Sequence, residues 1–403
     1  MGVFYYKNLR GIEPALRAPK QDIVELIGNS PQPSLNLREG ELVAENTTGM
    51  PLKLPPGFSI EVFAKDLPGA RVMTMDAQGG MYVSRTKENR VTYLQVEQGK
   101  VVKQFDVFGQ MRKPHGIARD PENPRIFYVA QEDSIVRIRT ESGAAIEKIV
   151  DLPTGGNHTT RTVGFGPDGR LYVSIGSSCN VCNEKDARRA AIYIVDIENK
   201  KLISYARGLR NSVFFTWNPA DGKMWATEMG RDLLGDDLPP DEINIVEQDK
   251  NYGWPICYGK NVYDAKFGGQ TPIARPLCIE PHETPSYIDL PAHSAPLGLA
   301  FIKKDSGWPK EYEGDLLVAF HGSWNRTEPT GYKITRIKLD EQGNYEGMDS
   351  TGSPQVEDFI SGWLQKDGTA LGRPVDILVQ PGGVAYISDD KAGVIYKVRY
   401  HSR

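Results

Sequence analysis

The feature that most constrains the fold is a short unit that recurs along the chain. Each copy is a polar turn rich in Asp, Pro and Gly, followed by a short apolar strand with a large residue near its middle. The aligned residues are Tyr82, Tyr128, Tyr172, Trp225, Leu317 and Tyr386. They lie 46, 44, 53, 92 and 69 residues apart. A period of about 40 to 50 residues is typical of a four-stranded β-propeller blade, so six copies predict six blades.

The predicted architecture is an all-β, six-bladed β-propeller over residues 54–403, preceded by an N-terminal extension over residues 1–53. The long intervals indicate insertions, chiefly within residues 228–300. The alternating segment at residues 58–64 should pair into the C-terminal blade, because ring closure removes an exposed sheet edge. Residues 22–27 indicate a short helix in the extension. The alternative fold is a decorated β-sandwich.

Charge and hydropathy argue against two classes of partner. The formal net charge is −4, and no basic run marks a nucleic-acid footprint. No apolar run approaches the roughly 20 residues that a membrane helix needs. The N-terminus lacks the apolar segment of a secretory signal. We therefore expect either a cytoplasmic protein or an exported chain without its leader.

The four cysteines bear on the compartment. Cys179 and Cys182 form a C-x-x-C motif, whereas Cys257 and Cys278 are separated by 21 positions in a loop-rich region. Two disulfides in an exported protein and free thiols are both open, and a zinc site is disfavoured because the second pair lacks ligand spacing. Covalent haem is excluded because Asn183, not histidine, follows Cys182. A periplasmic or secreted location is the favoured interpretation.

The candidate site residues lie in loops that precede the blade turns. His115 and His158 each stand a few residues before a turn in a Gly-containing segment, and His321 opens another loop. Because equivalent positions of a ring converge on its axis, these histidines predict a functional cluster, in which His115 would help to bind a cofactor. Isolated structural histidines are the alternative.

Two arginines occupy matching places in the ring. Arg210 precedes the fourth turn and Arg373 the sixth, and a planar guanidinium can recognise a carboxylate. The acidic loop at residues 236–244 offers oxygen ligands for a hard cation, although without EF-hand spacing. Together these residues predict an anionic cofactor held by arginines and a cation, with a histidine base beside it. No Rossmann G-x-G-x-x-G or hydrolase G-x-S-x-G motif is present.

Five motifs, in this order, resemble the glucose/sorbosone dehydrogenase family, and its sorbosone dehydrogenase branch more than the soluble glucose dehydrogenases. The motifs lie at residues 156–158, 166–172, 208–211, 241–244 and 251–255. The resemblance covers about residues 54–400 of the sequence. It implies a six-bladed propeller that binds pyrroloquinoline quinone (PQQ) and calcium. It also implies oxidation of a sugar, with electrons passing to an external quinone or cytochrome.

The resemblance implies roles for individual residues. His158 would take the hydroxyl proton of the sugar, and Arg210 would stabilise the reduced cofactor. Asn211 would hydrogen-bond the cofactor, and Arg373 would pair with one of its carboxylates. The residues whose backbone carbonyls would hold calcium are Gly230 and Arg231.

The sequence departs from the family in two places. The glucose dehydrogenases carry an acid immediately before the base, where this chain has Asn157, so the base would lack a charged orienting partner. Their cofactor-binding lysine in the fifth blade has no clear match. The candidates to replace it are His321, Arg326 and Lys333.

The predicted function is PQQ-dependent oxidation of an aldose or related sugar. One alternative is a calcium-dependent lactonase built on a similar ring, which would need carboxylate and asparagine metal ligands at the axis. The other is a non-catalytic binding propeller, which would not need histidines and arginines at its mouth.

Overall fold

The computed structural model describes residues 44–140, 146–268, 275–348 and 355–401. In these residues the strands form six antiparallel blades in a ring, which confirms the predicted six-bladed β-propeller. The predicted helix at residues 22–27 lies outside the described residues. No helix among the described residues is both long and apolar enough to cross a membrane.

The strand bounds follow the repeat. Before the first blade come β1 (Glu45–Asn46) and β2 (Phe58–Ala64). Blade 1 contains β3 (Ala70–Met75), β4 (Met81–Arg85), β5 (Arg90–Glu97) and β6 (Lys100–Phe108). Blade 2 contains β7 (Ile117–Arg119), β8 (Ile126–Ala130), β9 (Ser134–Arg139) and β10 (Ile146–Asp151). Blade 3 contains β11 (Val163–Phe165), β12 (Leu171–Ile175), β13 (Ala191–Asp196) and β14 (Lys201–Arg207).

The second half of the ring carries the insertion. Blade 4 and its inserted hairpin contain β15 (Phe215–Trp217), β16 (Met224–Glu228), β17 (Asp241–Val246), β18 (Cys257–Tyr258), β19 (Val262–Tyr263) and β20 (Ile288–Leu290). Blade 5 contains β21 (Pro296–Phe301), β22 (Leu316–Phe320), β23 (Lys333–Ile337) and β24 (Val356–Ile360). Blade 6 contains β25 (Pro374–Gln380), β26 (Val384–Asp389) and β27 (Val394–Tyr400). Among the described residues, the helical segments are Thr86–Glu88, Ala265–Gly268 and Lys310–Tyr312.

The N-terminal strand closes the ring as predicted. β2 pairs antiparallel with β27 and so supplies the fourth strand of blade 6. β1 adds a fifth, parallel strand outside it. Met50 and Leu52 are buried in the same apolar cluster as blade 6, so the last residues of the expected extension pack against the propeller.

The repeated residue lies in the second strand of every blade, and its packing explains the repeat. Tyr82 lies 4.5 Å, ring centre to ring centre, from Phe127 of blade 2, and Trp225 lies 5.4 Å from Phe301 of blade 5. A large apolar side chain at this position buries one blade against the next. Burial of this kind contributes most of the free energy that holds blades together.

All four cysteines form disulfides, Cys179–Cys182 and Cys257–Cys278, which rules out the free thiols and the zinc site. The second disulfide lies in the insertion between β17 and β20, within the predicted range 228–300.

The topology brings the predicted residues to one end of the ring. The first strands of blades 5, 6, 1, 2 and 3 contact one another in turn, so first strands line the axis. In an antiparallel blade, the start of the first strand and the end of the second lie at the same end. The loops at these points therefore form one mouth of the ring.

Candidate active site

His158 lies in the loop before β11, and its ring is held by a hydroxyl. Its Nδ1 lies 2.8 Å from Ser177 Oγ, in the loop after β12. The Ser177 hydroxyl donates its single proton to the Cys179 carbonyl at 2.7 Å. Ser177 Oγ must then accept a hydrogen bond from His158 Nδ1–H. This network assigns the tautomer in which His158 Nε2 carries a lone pair, as a general base requires.

The electrostatic surroundings keep His158 neutral. Burial, followed by the positive charge of Arg210, lowers the pKa of His158 to about 3, and Arg161 and Arg189 act in the same direction. The base is therefore unprotonated at neutral pH without help from a carboxylate. Although Asn157 stands where the glucose dehydrogenases have an acid, the His158 ring still has a hydrogen-bond partner, because Ser177 orients it. Ser177 was not predicted from the sequence. The signal that could have identified it is its position just after the second strand of blade 3, at the mouth.

Arg210 is fixed by backbone and side-chain acceptors, and its side chain is only 5% exposed. Its Nε donates to the Asn180 carbonyl at 2.8 Å, and its Nη2 donates to Asn180 Oδ1 at 2.9 Å and to Asp232 Oδ2 at 3.2 Å. Its Nη1 donates to the Gly230 carbonyl at 2.9 Å. The guanidinium is thus a preorganised positive charge close enough to His158 to shift its pKa.

Asn211 lies directly beside the base. Its backbone N–H donates to Glu228 Oε1 at 2.7 Å. Gly176 separates Asn211 from His158, since a Cβ at Gly176 would lie 2.6 Å from both Asn211 Oδ1 and His158 Cβ. Only glycine permits this close approach, which brings three of the predicted residues, His158, Arg210 and Asn211, to one place.

A second polar group contains Arg373 and His321. Arg373 Nε donates to the His321 carbonyl at 2.9 Å. His321 Nε2 lies 3.0 Å from Asp390 Oδ1, and Arg71 Nη1 donates to Asp390 Oδ2 at 2.7 Å. Burial, followed by the charge of Arg373, lowers the pKa of His321 to about 4. Sequence reasoning missed Arg71 and Asp390, which lie 319 positions apart and meet only where the ring closes.

His115 lies within electrostatic reach of both Arg71 and Arg161. It is fully buried, its Nδ1 lies 3.2 Å from Thr162 Oγ1, and burial and the charge of Arg71 hold its pKa well below the usual value. Three buried nitrogen atoms in this region lack a hydrogen-bond partner within the described residues: Arg71 Nε, His115 Nε2 and Arg161 Nε. Buried polar atoms are rarely left unpaired, so they indicate a ligand or water at this place.

Two of the predicted cofactor-binding residues are engaged elsewhere. Lys333 Nζ pairs with Asp358 on the outer strand of blade 5 at 2.5 Å. Arg326 donates to the Asp236 carbonyl at 2.5 Å and to Asp237 Oδ1 at 3.1 Å, which ties its loop to the acidic loop. The structure does not bring these two cations to His158.

Among the described residues, the predicted cation site offers oxygen ligands but no cluster of carboxylates. Within the described ranges, the only three His, Cys, Asp or Glu side chains close enough to share a metal are Cys179, Cys182 and Glu184, and both cysteines are in a disulfide. In the acidic loop, Asp241 instead accepts hydrogen bonds from the Gly230 and Ala295 N–H groups.

The segment at residues 230–232 nevertheless suits a hard cation. Asn325 donates to Asp232 Oδ1 at 2.7 Å, and its own buried Oδ1 has no donor in the described parts of the chain. Calcium prefers carbonyl, amide and carboxylate oxygens. The donor set therefore fits calcium beside the Gly230 and Arg231 carbonyls, although the Gly230 carbonyl also accepts from Arg210.

The mouth as a whole carries the neutral imidazole of His158 among buried and half-buried arginines. The arginines are Arg71, Arg161, Arg189, Arg210 and Arg373. Fewer carboxylates than arginines are present in these direct ion pairs, namely Asp232 and Asp390. The fold and the site together define a six-bladed β-propeller whose mouth combines several arginines with a neutral imidazole.

The chain belongs to the TrAA12-like family, whose profile matches residues 52–401. An uncharacterised protein of Borreliella burgdorferi is 31% identical over 377 residues, which cover 89% of this chain and 93% of that protein. The PQQ-dependent pyranose dehydrogenase of Coprinopsis cinerea is 23% identical over 408 residues, covering 85% of this chain but only 54% of that longer protein.

Solved structures agree on the fold. The holo PQQ domain of pyranose dehydrogenase from Coprinopsis cinerea superposes with a TM-score of 0.73 at 20% identity, covering 89% of this chain and all of that domain. The PQQ-bound aldose sugar dehydrogenase of Streptomyces coelicolor gives a TM-score of 0.59 at 18% identity, covering 86% and 99%. The family resemblance seen in the sequence is confirmed; the sorbosone dehydrogenase branch stays a prediction.

Proposed function

We propose that this protein is a PQQ-dependent oxidoreductase that oxidises an aldose or related sugar and passes electrons to an external quinone or cytochrome. The observation that carries the proposal is the neutral imidazole of His158, whose Nδ1 is bonded to Ser177 and whose Nε2 carries a lone pair, beside the fixed charge of Arg210. The names of the relatives from Coprinopsis cinerea and Streptomyces coelicolor support the same cofactor and substrate class.

The mouth fits a carboxylate-bearing quinone such as PQQ. The unpaired Nε of Arg71 and the guanidinium of Arg373 would bind its carboxylates, since arginine pairs well with such groups. His115, His321 and Asn211 would contact it through hydrogen bonds. Calcium would lie at the carbonyls of Gly230 and Arg231. Arg326 and Lys333 would act only indirectly, because both are paired elsewhere.

The mechanism follows from the chain's own residues. When bound, PQQ would supply the quinone that receives the two electrons lost by the sugar carbon as a hydride. His158 Nε2 takes the hydroxyl proton, so the C–OH group becomes a carbonyl. Ser177 keeps the ring in the required tautomer and orientation. Arg210, already held by its acceptors, stabilises negative charge without reorganising.

The two disulfides support a periplasmic or secreted location, because disulfides persist in oxidising compartments.

Reconstitution tests the proposal. The purified protein would be loaded with PQQ and calcium, and reduction of an artificial dye would be followed with a panel of aldoses. We expect turnover with at least one sugar. His158→Ala should keep the cofactor and lose turnover, whereas His282→Ala, at an exposed position in the insertion, should match the wild type. The absence of PQQ binding, or full turnover in His158→Ala, would refute the proposal.

A further inference from the structure

One short loop contacts both the base and the arginine. We propose that this loop, residues 177–182, is the positioning element of the site and that the Cys179–Cys182 disulfide holds it in its working shape. The inference rests on the proposed function, because it assigns these residues a role in the same reaction. Neither the disulfide nor Asn180 touches the reacting atoms, so both would act through His158 and Arg210.

Asn180 holds the arginine. Its carbonyl accepts from Arg210 Nε at 2.8 Å, and its Oδ1 accepts from Arg210 Nη2 at 2.9 Å. The same Oδ1 accepts from the Asp232 N–H at 2.8 Å, and Asn180 Nδ2 donates to the Asp232 carbonyl at 3.1 Å. Asn180 therefore fixes Arg210 together with the segment proposed to bind calcium.

The start of the loop holds the base. The Cys179 carbonyl accepts the hydrogen bond that the Ser177 hydroxyl donates, and this leaves Ser177 Oγ as the acceptor for His158 Nδ1–H. The Ser178 carbonyl accepts from the Asn157 N–H at 2.9 Å. Gly156 packs so closely on Ser178 that a Cβ there would lie 2.6 Å from Ser178 Cα.

The loop has two restraints of its own. Glu184 accepts from the Ser178 N–H at 2.5 Å and from Ser178 Oγ at 2.7 Å. The disulfide joins two cysteines only 3 positions apart, compared with 21 for Cys257–Cys278. A disulfide that closes a shorter loop constrains the unfolded chain less. The first disulfide should therefore contribute less to stability than the second, although it fixes the contacts of the catalytic residues.

The two disulfides give a matched pair of variants. In Cys179→Ser/Cys182→Ser, we expect kcat for the best aldose to fall roughly 10- to 100-fold, with a small change in KM, because small misplacements of catalytic groups have effects of this size. With PQQ and calcium at saturating concentrations, thermal stability should stay near the wild-type value. In Cys257→Ser/Cys278→Ser, we expect the larger loss of stability and a kcat close to the wild type.

A second variant removes only the side-chain contacts. Asn180→Ala should lower kcat in the same range, and Asn180→Asp, which keeps the acceptor for Arg210, should recover part of the loss. Nitrogen-15 NMR of the His158 ring in the apo protein gives a readout that needs no turnover. The wild type should show a proton fixed on Nδ1, and the Cys179→Ser/Cys182→Ser variant should show exchange between tautomers.

The outcomes separate the two proposals. If the wild type oxidises no sugar with PQQ, the proposed function fails, and the NMR comparison still tests the positioning role. A kcat within about threefold of the wild type in both loop variants, together with an unchanged His158 ring, would overturn the inference.

Discussion

The buried, neutral state of His158 should make the protein less stable in mild acid. Histidine has a pKa of 6.5 when exposed, and the folded protein lowers the pKa of His158 to about 3. At pH 5 the unfolded chain binds a proton at this position and the folded chain does not. A lowered histidine pKa thus leaves stability intact above pH 6.5 and reduces it as pH falls from 6.5 toward 3.

The magnitude follows from the linkage relation. Each pH unit in this window removes about 1.4 kcal/mol, so going from pH 7.5 to 5.0 should remove about 2 kcal/mol of unfolding free energy through His158 alone. The figure changes little if the folded pKa is one unit higher, because the group still stays neutral at pH 5.

Urea unfolding of the apo protein at pH 7.5 and 5.0 measures this contribution of His158 to the free energy of unfolding. Other titrating groups contribute equally to the wild type and to His158→Asn, so they cancel in the difference between the two proteins. The variant should lose about 2 kcal/mol less than the wild type on acidification. His282→Asn, at an exposed position, should follow the wild type. An equal loss in His158→Asn and the wild type would show that His158 is not held neutral.

Three further perturbations test other parts of the site. Gly176→Ala should abolish turnover, because the added Cβ would lie 2.6 Å from Asn211 and His158. Circular dichroism would verify that the variant is folded, and normal turnover in it would contradict this packing. Arg373→Gln should weaken PQQ binding roughly 10- to 100-fold in a fluorescence titration, as expected for the loss of a charged hydrogen bond, and Lys333→Gln should not. Chelation of calcium should lower PQQ affinity, and added calcium should restore it; an affinity unaffected by chelation would argue against the carbonyl site.

Most of the fold was predictable because each blade repeats one physical requirement. A large side chain such as Tyr82 or Trp225 must fill the gap to the next blade, and this leaves a period in the sequence. The inserted hairpin at β18 and β19 has no such period. Its form depends on local contacts and on the Cys257–Cys278 disulfide, so only its presence could be predicted.

Among the candidate site residues, the sequence pointed to those whose proposed role depends on side-chain type and not to those whose proposed role depends on position. A histidine or an arginine just before a blade turn indicates a residue near the axis of the ring, and this pattern identified His158, Arg210 and Arg373. Serine is a common residue, and the proposed role of Ser177 depends on the hydrogen bond that its hydroxyl donates to the backbone carbonyl of Cys179. Asn180 likewise acts partly through its backbone, so residue type identifies neither residue, and only their place after the second strand of blade 3 points to them.

In the proposed function, the mouth of the propeller binds PQQ between His158 and the arginines. A crystal structure of the protein grown with PQQ and calcium measures this directly. We expect one quinone per mouth, with its carboxylates at Arg71 and Arg373 and its reactive ring facing His158 Nε2. A quinone bound elsewhere, or a mouth in which His158 Nε2 is hydrogen-bonded to the protein and no PQQ binds, would contradict it.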